Sequence, residues 1–379
     1  MAGALTAGLL VAVIHRAVPG PACVPLADRA VSELTAYTIW LDEHHVAGVI
    51  GEVGWPTTPD NGWESVAAPW VSTAVDHGVG LYVWGAAENW DPTYPLSVYR
   101  SSPTGELVAG AQSRLVERVS DHPGAGVAAL RGVALSSPSF GASLEDGASS
   151  YSSTHPGVRG VDYTYPSRRF LVQLSGRGIR SVRLAVMWER LQPRLFGPLA
   201  AGELGEVKRV LRDASELGLS VVIDLHNYGR YAEGSASGGR TVLLVGSGAL
   251  PASSLADLWR RLARELRGSP ALAAYGLMNE PHDLPGGAPG WEETTREVVA
   301  AVREVDPSTL VLVPGYGWSA VADWRRNHPA PWVPGPGVAY EAHQYFDQDR
   351  TGRYVLSLDE ENALAAATWC PSSSVPGPS

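Results

Sequence analysis

Apolar residues follow two spacings along the chain, and the alternation between them predicts a regular succession of helices and strands. Residues 26–45 carry apolar side chains at helical intervals, and residues 46–53 then form a short, almost continuously apolar run. Residues 65–77 and 78–84 repeat this pair. Helical spacing is typical of an amphipathic helix and a short apolar run is typical of a buried strand, so each pair predicts a helix followed by a strand.

Six further apolar runs predict strands at residues 130–134, 181–186, 220–225, 274–278, 309–313 and 338–342. Helical stripes lie between most of them, for example at residues 204–217 and 255–266, and another stripe covers residues 108–119. Eight strands alternating with helices predict a parallel sheet, and roughly 320 residues suit a closed (β/α)8 TIM barrel. The alternative is a doubly wound open sheet, which usually carries a Gly-rich phosphate loop that this sequence lacks.

The amino-acid composition limits the kinds of substrate, partner and metal site that such a barrel could have. Of the 379 residues, 18% are charged and 45% are hydrophobic, which is typical of a globular protein. The net charge of -10 argues against nucleic acid as a partner. Thirteen Trp residues offer flat apolar faces that can stack on sugar rings, although about half of them are expected in the core. The two cysteines lack the spacing of a metal site, so we expect no zinc.

The first residues include a short apolar stretch at residues 4–14. It is too short to span a membrane and resembles the apolar core of a signal peptide, although no Lys or Arg precedes it. We therefore expect a secreted protein with no membrane partner. We also expect a monomer. Residues 1–22 are expected to form a signal-like or disordered segment, and residues 371–379 a disordered tail.

Charged and amide side chains lie at the carboxyl ends of many predicted strands. Burying such groups without partners costs roughly 1–3 kcal/mol each, so a plain core would not place them there. The active site of a barrel, in contrast, forms at this face. Glu52 and Glu280 each end a short apolar run. The other candidates are Trp84, Trp90, Arg183, His226, Asn227, Asn279, Trp318, His343 and Tyr345.

Several longer runs together resemble glycoside hydrolase family 5, the cellulase-type barrel hydrolases. The main ones are Ile50-Gly-Glu-Val-Gly-Trp-Pro56, Trp188-Glu-Arg-Leu-Gln-Pro193, Asp224-Leu-His-Asn-Tyr-Gly-Arg-Tyr231, Gly276-Leu-Met-Asn-Glu-Pro-His282 and Ala342-His-Gln-Tyr-Phe-Asp347. The resemblance extends over residues 26–100 and 130–350. Several long motifs in one chain are far more specific than any single short pattern.

The resemblance implies a role for each matching residue. Glu280 corresponds to the general acid/base and Glu52 to the nucleophile of a retaining mechanism, whose two carboxyl groups stand about 5–5.5 Å apart. Arg183 and Tyr345 correspond to groups that orient the nucleophile, and a cation such as Arg183 is expected to lower its pKa. Asn279 corresponds to the residue that binds the sugar 2-hydroxyl. The other expected substrate contacts are His226, Asn227, His343, Trp84 as the platform under the reacting sugar, and Trp90 and Trp318 as further platforms.

The order of these runs differs from the order in the family, where the Asn-Glu-Pro strand precedes the Gly-Glu strand. Here Glu52 comes first. The sequence therefore predicts a circularly permuted barrel as one catalytic domain over residues 23–370. In it, residues 23–100 hold the last two units, residues 101–129 a joining helix and linker, and residues 130–370 the first six units. A fusion of gene fragments, or a remnant of tandem units, is the alternative.

Cys23 and Cys370 lie near the new chain ends that the permutation creates. We therefore predict a disulfide between them, which would contribute about 4–5 kcal/mol in the chain-entropy model. Two unpaired cysteines are the alternative.

These features together predict a retaining endo-β-1,4-glucanase that needs no cofactor and cleaves internal bonds of a β-glucan. Another β-glycan, such as mannan, xyloglucan or a different β-glucan, is the alternative substrate. The alternative from another class is a catalytically silent carbohydrate-binding barrel, which requires that Glu52 and Glu280 do not face each other.

Overall fold

The computed structural model describes residues 26–369, except residues 122, 123, 143, 145–149 and 236. The predicted Cys23–Cys370 pair, the signal-like segment 1–22 and the tail 371–379 lie outside the described residues. Within them, no helix combines the length and the apolar character that crossing a bilayer requires.

Strands and helices alternate along the described chain, as the apolar spacing predicts. The strands are β1 (Ala47–Gly54), β2 (Gly80–Ala86), β3 (Tyr99–Ser101), β4 (Leu107–Ala109), β5 (Arg131–Leu135), β6 (Ser181–Val186), β7 (Ser220–Leu225), β8 (Arg230–Gly234), β9 (Arg240–Leu244), β10 (Leu272–Gly276), β11 (Leu310–Pro314) and β12 (Val338–Tyr345). The helices are α1 (Leu26–His44), α2 (Glu64–Asp76), α3 (Ser113–Ser120), α4 (Arg168–Gly176), α5 (Trp188–Leu191), α6 (Ala201–Glu216), α7 (Ala252–Leu266), α8 (Gly287–Arg303), α9 (Trp324–Asn327) and α10 (Leu358–Trp369).

Eight of these strands close into a barrel. Around it they follow the order β1, β2, β5, β6, β7, β10, β11 and β12, and β12 pairs with β1 to close the ring. Each neighbouring pair is parallel. This arrangement confirms the predicted (β/α)8 fold. It also brings the carboxyl ends of all eight strands to one face, where barrel enzymes carry their sites.

The additional strands were not predicted, because each is short and belongs to a two-stranded excursion. The antiparallel pair β3–β4 follows β2, and the antiparallel hairpin β8–β9 follows β7. The helical stripe predicted over residues 108–119 is wrong at its start, since Val108 lies in β4 and α3 begins at Ser113.

Two apolar layers lie on opposite sides of the barrel wall, because successive side chains of a strand face opposite ways. The outer layer packs against the helices and includes most of the buried Trp residues. Of the twelve Trp side chains whose burial the structure describes, nine are buried, which is more than the expected half. The inner layer is smaller and consists mainly of Val49, Tyr82, Val222, Ala274, Leu312 and Ala339.

Candidate active site

Glu52 reaches the barrel interior through a bulge in β1. Val49 belongs to the inner apolar layer, so strict alternation would turn Glu52 outward. Between Ile50 and Glu52, however, β1 advances two residues while β12 advances one, from Ala342 to His343. A bulge of this kind re-aims the side chain that follows it. Glu52 consequently lies beside His343 at the carboxyl ends of the strands.

The Glu52 carboxylate is buried and held at both oxygens. Arg183 donates from Nη1 to Oε1 at 2.8 Å, and Tyr345 donates its hydroxyl to Oε2 at 3.0 Å. Burial raises the pKa of Glu52, and the charges of His343 and Arg183 lower it. The nearby Glu280 carboxylate raises it again, and the net direction is upward. Arg183 thus lowers the pKa of Glu52 as expected, but the loss of water on burial outweighs the neighbouring cations.

Arg183 is fully buried and lies among several oxygen acceptors. Its Nη2 lies 2.8 Å from Asn279 Oδ1, 2.9 Å from Asp224 Oδ1 and 3.0 Å from Glu341 Oε1. Burial lowers the pKa of Arg183, but the neighbouring carboxylates raise it, and the net pKa lies above the ordinary value. Asp224 makes the largest single contribution among these carboxylates. Since Asn279 Oδ1 accepts from Arg183, the amide orientation is fixed and Nδ2 is left as the donor.

Glu280 lies just beyond β10 in a turn, and its own backbone is left-handed, with φ of 42°. His343 donates from Nδ1 to Glu280 Oε1 at 2.8 Å, and its Nε2 lies 3.4 Å from Glu341 Oε1. Burial lowers the pKa of His343, but the hydrogen bonds to these two carboxylates raise it, to about 10 overall. His343 is therefore an imidazolium at neutral pH and donates from both ring nitrogens.

The fold brings the two candidate carboxylates together. One oxygen of Glu52, one oxygen of Glu280 and one nitrogen of His343 all lie within 4.8 Å of one another. Retaining glycosidases hold their carboxyl groups about 5–5.5 Å apart and inverting ones about 6.5–9.5 Å. Such atoms can also bind a metal ion. Here Arg183, Tyr345 and His343 already donate to these oxygens, so the group fits a hydrogen-bonded pair of acids.

His226 and Trp84 form a stacked pair beside Glu52. The two rings are 5.6 Å apart and 16° from parallel, and His226 Nδ1 lies 4.0 Å from Glu52 Oε1. The same nitrogen donates to Asp224 Oδ2 at 2.8 Å, which fixes the imidazole orientation. Trp84 donates its indole N–H to the Tyr94 hydroxyl at 2.9 Å. Hydrogen bonds at both ends of the pair therefore set the position of the two rings.

Asn227 does not join this group, contrary to the expectation that it contacts substrate. Its Nδ2 donates to Glu189 at 2.8 Å and to the Arg230 carbonyl at 3.2 Å. Its Oδ1 accepts from the Trp188 backbone N–H at 2.8 Å. Because the amide is fully buried and engaged at both ends, Asn227 holds the turn after β7 in place.

Aromatic and imidazole rings form a row along the site. In order, the row consists of Tyr94, Trp90, Trp84, His226, Tyr228, His282 and Trp318, with neighbouring centroids 4.3–6.2 Å apart. Trp318 stacks on His282 and is 51% exposed. His282 in turn donates to the backbone carbonyl of Glu280 at 2.8 Å. The row therefore runs from Trp90, through the stacked pair at Glu52, to Trp318 on the side of Glu280.

Asp224 and Glu341 are site residues that the sequence analysis missed. Both are fully buried and both contact Arg183. Each lies two residues before a predicted site histidine, Asp224 before His226 and Glu341 before His343. Because side chains two apart on a strand share a face, a carboxylate at this spacing is a signal that could have identified them.

Gly51 leaves the space that the Glu341 and His343 side chains occupy. A Cβ on Gly51 would lie 1.9 Å from Glu341 Oε1 and 2.8 Å from His343 Nε2. We expect Gly51→Ala to displace both side chains, to reduce kcat by about 10²-fold and to cost about 1–3 kcal/mol of unfolding free energy. Enzyme kinetics and denaturant unfolding measure the two effects.

Gly205→Ala is the matched control for that substitution. Gly205 lies exposed in α6, and a Cβ there meets no atom within 4 Å. Because alanine favours a helix interior, this variant is expected to gain about 0.5–1 kcal/mol and to keep its kcat. A Gly51→Ala variant with unchanged kcat would contradict the close approach of Glu341 to β1.

Comparison with known proteins places the chain among cellulases. The sequence model described as Cellulase (glycosyl hydrolase family 5) matches residues 144–372, more than half of the chain. This range contains Glu280, His343 and Arg183, whereas Glu52 and Trp84 precede it.

Individual relatives agree with the family match. The manganese dependent endoglucanase Eg5A of Phanerodontia chrysosporium is 26% identical over 48% of this chain and 46% of its own length. Endo-beta-1,4-glucanase B of Emericella nidulans is 24% identical over 64% of this chain and 74% of its own length. The chain thus spans about half the length of the first of these two relatives.

A solved structure extends the likeness to three dimensions. A triple mutant of an endo-beta-1,4-glucanase from Xanthomonas axonopodis pv. citri is 32% identical, with a TM-score of 0.50, over 62% of this chain and 72% of that one. The sequence match and this structural match agree with the (β/α)8 barrel. The chain belongs to the cellulase family, glycosyl hydrolase family 5.

Proposed function

We propose that this protein is a retaining endo-β-1,4-glucanase in which Glu280 is the general acid/base and Glu52 is the nucleophile. One observation carries the proposal: oxygens of the two glutamates lie within 4.8 Å of each other at the carboxyl ends of the barrel strands. That separation leaves room for a sugar carbon to form a bond to one carboxylate while the other protonates the leaving oxygen. It does not leave room for a water molecule between carboxylate and sugar.

In the first step, Glu280 donates its proton to the glycosidic oxygen while Glu52 attacks the anomeric carbon. The bond from that carbon to the leaving oxygen breaks, a Glu52 ester forms, and the shortened chain leaves with the proton. Arg183 and Tyr345 hold the attacking carboxylate in place through their hydrogen bonds at 2.8 and 3.0 Å. His343 holds Oε1 of Glu280, which leaves Oε2 to carry the proton.

In the second step, Glu280 accepts a proton from water, and the resulting hydroxyl attacks the anomeric carbon. The ester to Glu52 breaks, and the carboxylate returns to its hydrogen bonds with Arg183 and Tyr345. Positive charge develops on the sugar in both steps. The Glu52 carboxylate stabilises that charge as its bond to the anomeric carbon forms or breaks, and Arg183 and Tyr345 keep it in position.

The expected substrate is a β-1,4-glucan chain lying along the row of rings from Trp90 to Trp318. A flat pyranose ring stacks on an aromatic face, and Trp84 stacks on His226, whose Nδ1 lies 4.0 Å from Glu52 Oε1. Because Asn279 Oδ1 accepts from Arg183, Nδ2, which lies 3.4 Å from His226 Nε2, is the donor that suits the sugar 2-hydroxyl. The fungal and bacterial relatives are endoglucanases by name, and this favours glucan over mannan or xyloglucan.

We further infer that the protein is secreted and acts as a monomer. Circular permutation belongs to the same proposal. It is supported by the order of the two glutamates, since Glu52 precedes Glu280 in the chain and the two meet in one barrel. It is also supported by the family match, which begins after β1 and β2. Helices α1 and α10 lie side by side, since the Leu26 backbone N–H lies 3.3 Å from Asn362 Oδ1.

The test is hydrolysis of a panel of soluble β-glycans combined with proton NMR of the first sugars released. We expect the fastest release of reducing ends from a β-1,4-glucan, and the β anomer as the first product, because two displacements restore the original configuration. An α anomer as first product would exclude the retaining mechanism. Binding of the glycans without any release would favour the silent carbohydrate-binding barrel instead.

A further inference from the structure

The single-turn helix α5 carries two adjacent charged side chains that the proposed mechanism does not use. Glu189 and Arg190 are 0% and 2% exposed. Burying a charge is costly unless hydrogen bonds compensate for the lost water, so the partners of these two residues indicate what the charges do. Both sets of partners lie in loops at the face of the barrel that carries Glu52.

Arg190 binds the long segment between β5 and α4. Its Nε donates to the Pro156 carbonyl at 2.8 Å, Nη2 donates to the Phe140 carbonyl at 2.7 Å, and Nη1 donates to the Pro138 carbonyl. The guanidinium also lies over the Tyr163 ring, 3.6 Å from its centroid. Since these carbonyls belong to both the outgoing and the returning limb, one side chain ties the two limbs together.

Glu189 binds the turn and hairpin after β7. Its Oε1 accepts from the Ala232 backbone N–H at 2.6 Å, and its Oε2 accepts from Asn227 Nδ2 at 2.8 Å. Tyr151, from the segment that Arg190 holds, also donates to Oε2 at 3.0 Å. A carboxylate offers only acceptors, so it can take three donors at once, which neither an amide nor a hydroxyl can do.

The two loops that α5 holds also bind each other. The Ser153 backbone N–H donates to the Ala232 carbonyl at 2.8 Å, and the Gly234 backbone N–H donates to Ser153 Oγ at 3.1 Å. Residues 137–142, 150–163, 227–235 and 237–244 therefore form one continuous surface, which we call the α5 wall.

The α5 wall reaches both neighbours of the Trp84 platform. Phe140, whose carbonyl Arg190 binds, packs against Trp90 with ring centroids 6.0 Å apart. Asn227, whose amide Glu189 binds, directly follows His226, the ring that stacks on Trp84. A shift of the wall would therefore move the rings on either side of the platform.

We propose that Glu189 and Arg190 are positioning residues that hold the α5 wall as one piece and so set how tightly a glucan chain binds around Trp84. The proposal rests on the glucanase function proposed above. It predicts an effect on substrate binding larger than the effect on the bond-breaking step, because neither residue contacts Glu52 or Glu280.

The experiment compares Arg190→Lys, Glu189→Gln and the double variant on cellohexaose. A lysine cannot donate to three carbonyls in a plane as an arginine can. A glutamine replaces one accepting oxygen of Glu189 by an N–H group, which cannot accept from the donors that surround it. We expect KM to rise about tenfold in each single variant, which corresponds to about 1.4 kcal/mol, with kcat nearly unchanged. Because one wall is loosened in either case, the double variant is expected to show a KM no higher than the worse single variant.

Arg303→Lys is the matched control. Arg303 also donates to three backbone carbonyls, those of Asp306, Thr309 and Gly337, which precede strands β11 and β12 at the opposite face of the barrel. We expect this variant to lose stability while its KM stays at the wild-type value. A similar rise of KM in Arg303→Lys would overturn the proposal, because the effect would then be general destabilisation.

Hydrogen exchange provides a readout that does not depend on activity. Amides of the α5 wall are expected to exchange faster in Arg190→Lys and Glu189→Gln, and at the wild-type rate in Arg303→Lys. Faster exchange with an unchanged KM would overturn the proposed role of the wall in glucan binding. If the rises of KM were additive in the double variant, the claim that Glu189 and Arg190 hold the wall as one piece would be overturned. A wild-type protein that cleaves no β-glycan would refute the proposed function, while the exchange rates would still test whether α5 holds the wall.

Discussion

Alanine in place of Glu52 is expected to reduce kcat on a soluble β-1,4-glucan by about 10⁴–10⁶-fold, the range seen when a nucleophile is removed from a hydrolase. The reason is that the substitution removes the atom that forms the bond to the anomeric carbon. The rings of the row, from Trp90 to Trp318, remain in place. Binding of cellohexaose, measured by calorimetry, is therefore expected to persist. Loss of binding together with turnover would mean that Glu52 supports the structure of the cleft.

Azide distinguishes the role of Glu52 from that of Glu280. In Glu52→Ala, azide can enter the space of the carboxylate and attack the sugar from that face, so the expected product is an α-glycosyl azide. In Glu280→Ala, Glu52 still forms the ester from an aryl glycoside with a good leaving group, and azide then gives the β product. The same configuration from both variants would contradict the assignment of the two glutamates.

Asp306→Asn serves as the control for replacing a buried carboxylate. Asp306 is buried before β11, at the opposite face of the barrel, and accepts from the Tyr275 hydroxyl at 2.8 Å and the Thr309 hydroxyl at 2.7 Å. This variant is expected to lose stability but to keep the wild-type kcat. If its kcat fell as far as that of Glu52→Ala, unfolding would explain both results.

The barrel could be predicted from the sequence because its strands are buried on both sides. Such strands are short apolar runs, and the structure places β6 and β7 at the predicted residues. The β3–β4 and β8–β9 hairpins lack this signal, since they are only three to five residues long and most of their residues are exposed or only partly buried. The hairpins nevertheless matter, because β8 contributes Ala232 to the α5 wall.

The site could be predicted in part, because polar residues at strand ends have few structural explanations. The meeting of Glu52 and Glu280 follows from this signal. The bulge that turns Glu52 inward was not predicted, although a glycine inside a strand, here Gly51, often marks a bulge. The sequence analysis expected Asn227 to contact substrate because the preceding residue, His226, faces the site. Only the positions of Glu189 and Trp188 reveal that the Asn227 amide is engaged elsewhere.

Methionine in place of Arg183 is expected to cost about 3–5 kcal/mol of unfolding free energy, because the change leaves buried carboxylates without their cation. Arg183 contacts Glu52, Asp224 and Glu341 at 2.8–3.0 Å, and Asp224 and Glu341 are fully buried. Denaturant unfolding at neutral pH measures the loss. Arg168→Met is the control. Its side chain is 50% exposed and pairs with Glu216 at 2.6 Å, so the cost is expected to stay below about 1 kcal/mol.

The loss in Arg183→Met is also expected to depend on pH, and the sign follows from Asp224. Burial raises the pKa of Asp224, but Arg183 and then His226 lower it, and the net direction is downward. A carboxylate with a lowered folded-state pKa stabilises the fold above its unfolded-state value, about 3.9, and this contribution disappears as the pH falls through the folded-state value. Without Arg183 the contribution is lost, so the difference in unfolding free energy between variant and wild type should be largest above about pH 5 and shrink on acidification.

Should Arg183→Met fail to fold, Arg183→Lys gives the same comparison with a smaller loss, because one ammonium cannot contact all three carboxylates. A difference that is independent of pH, or that grows on acidification, would contradict the ion-pair explanation.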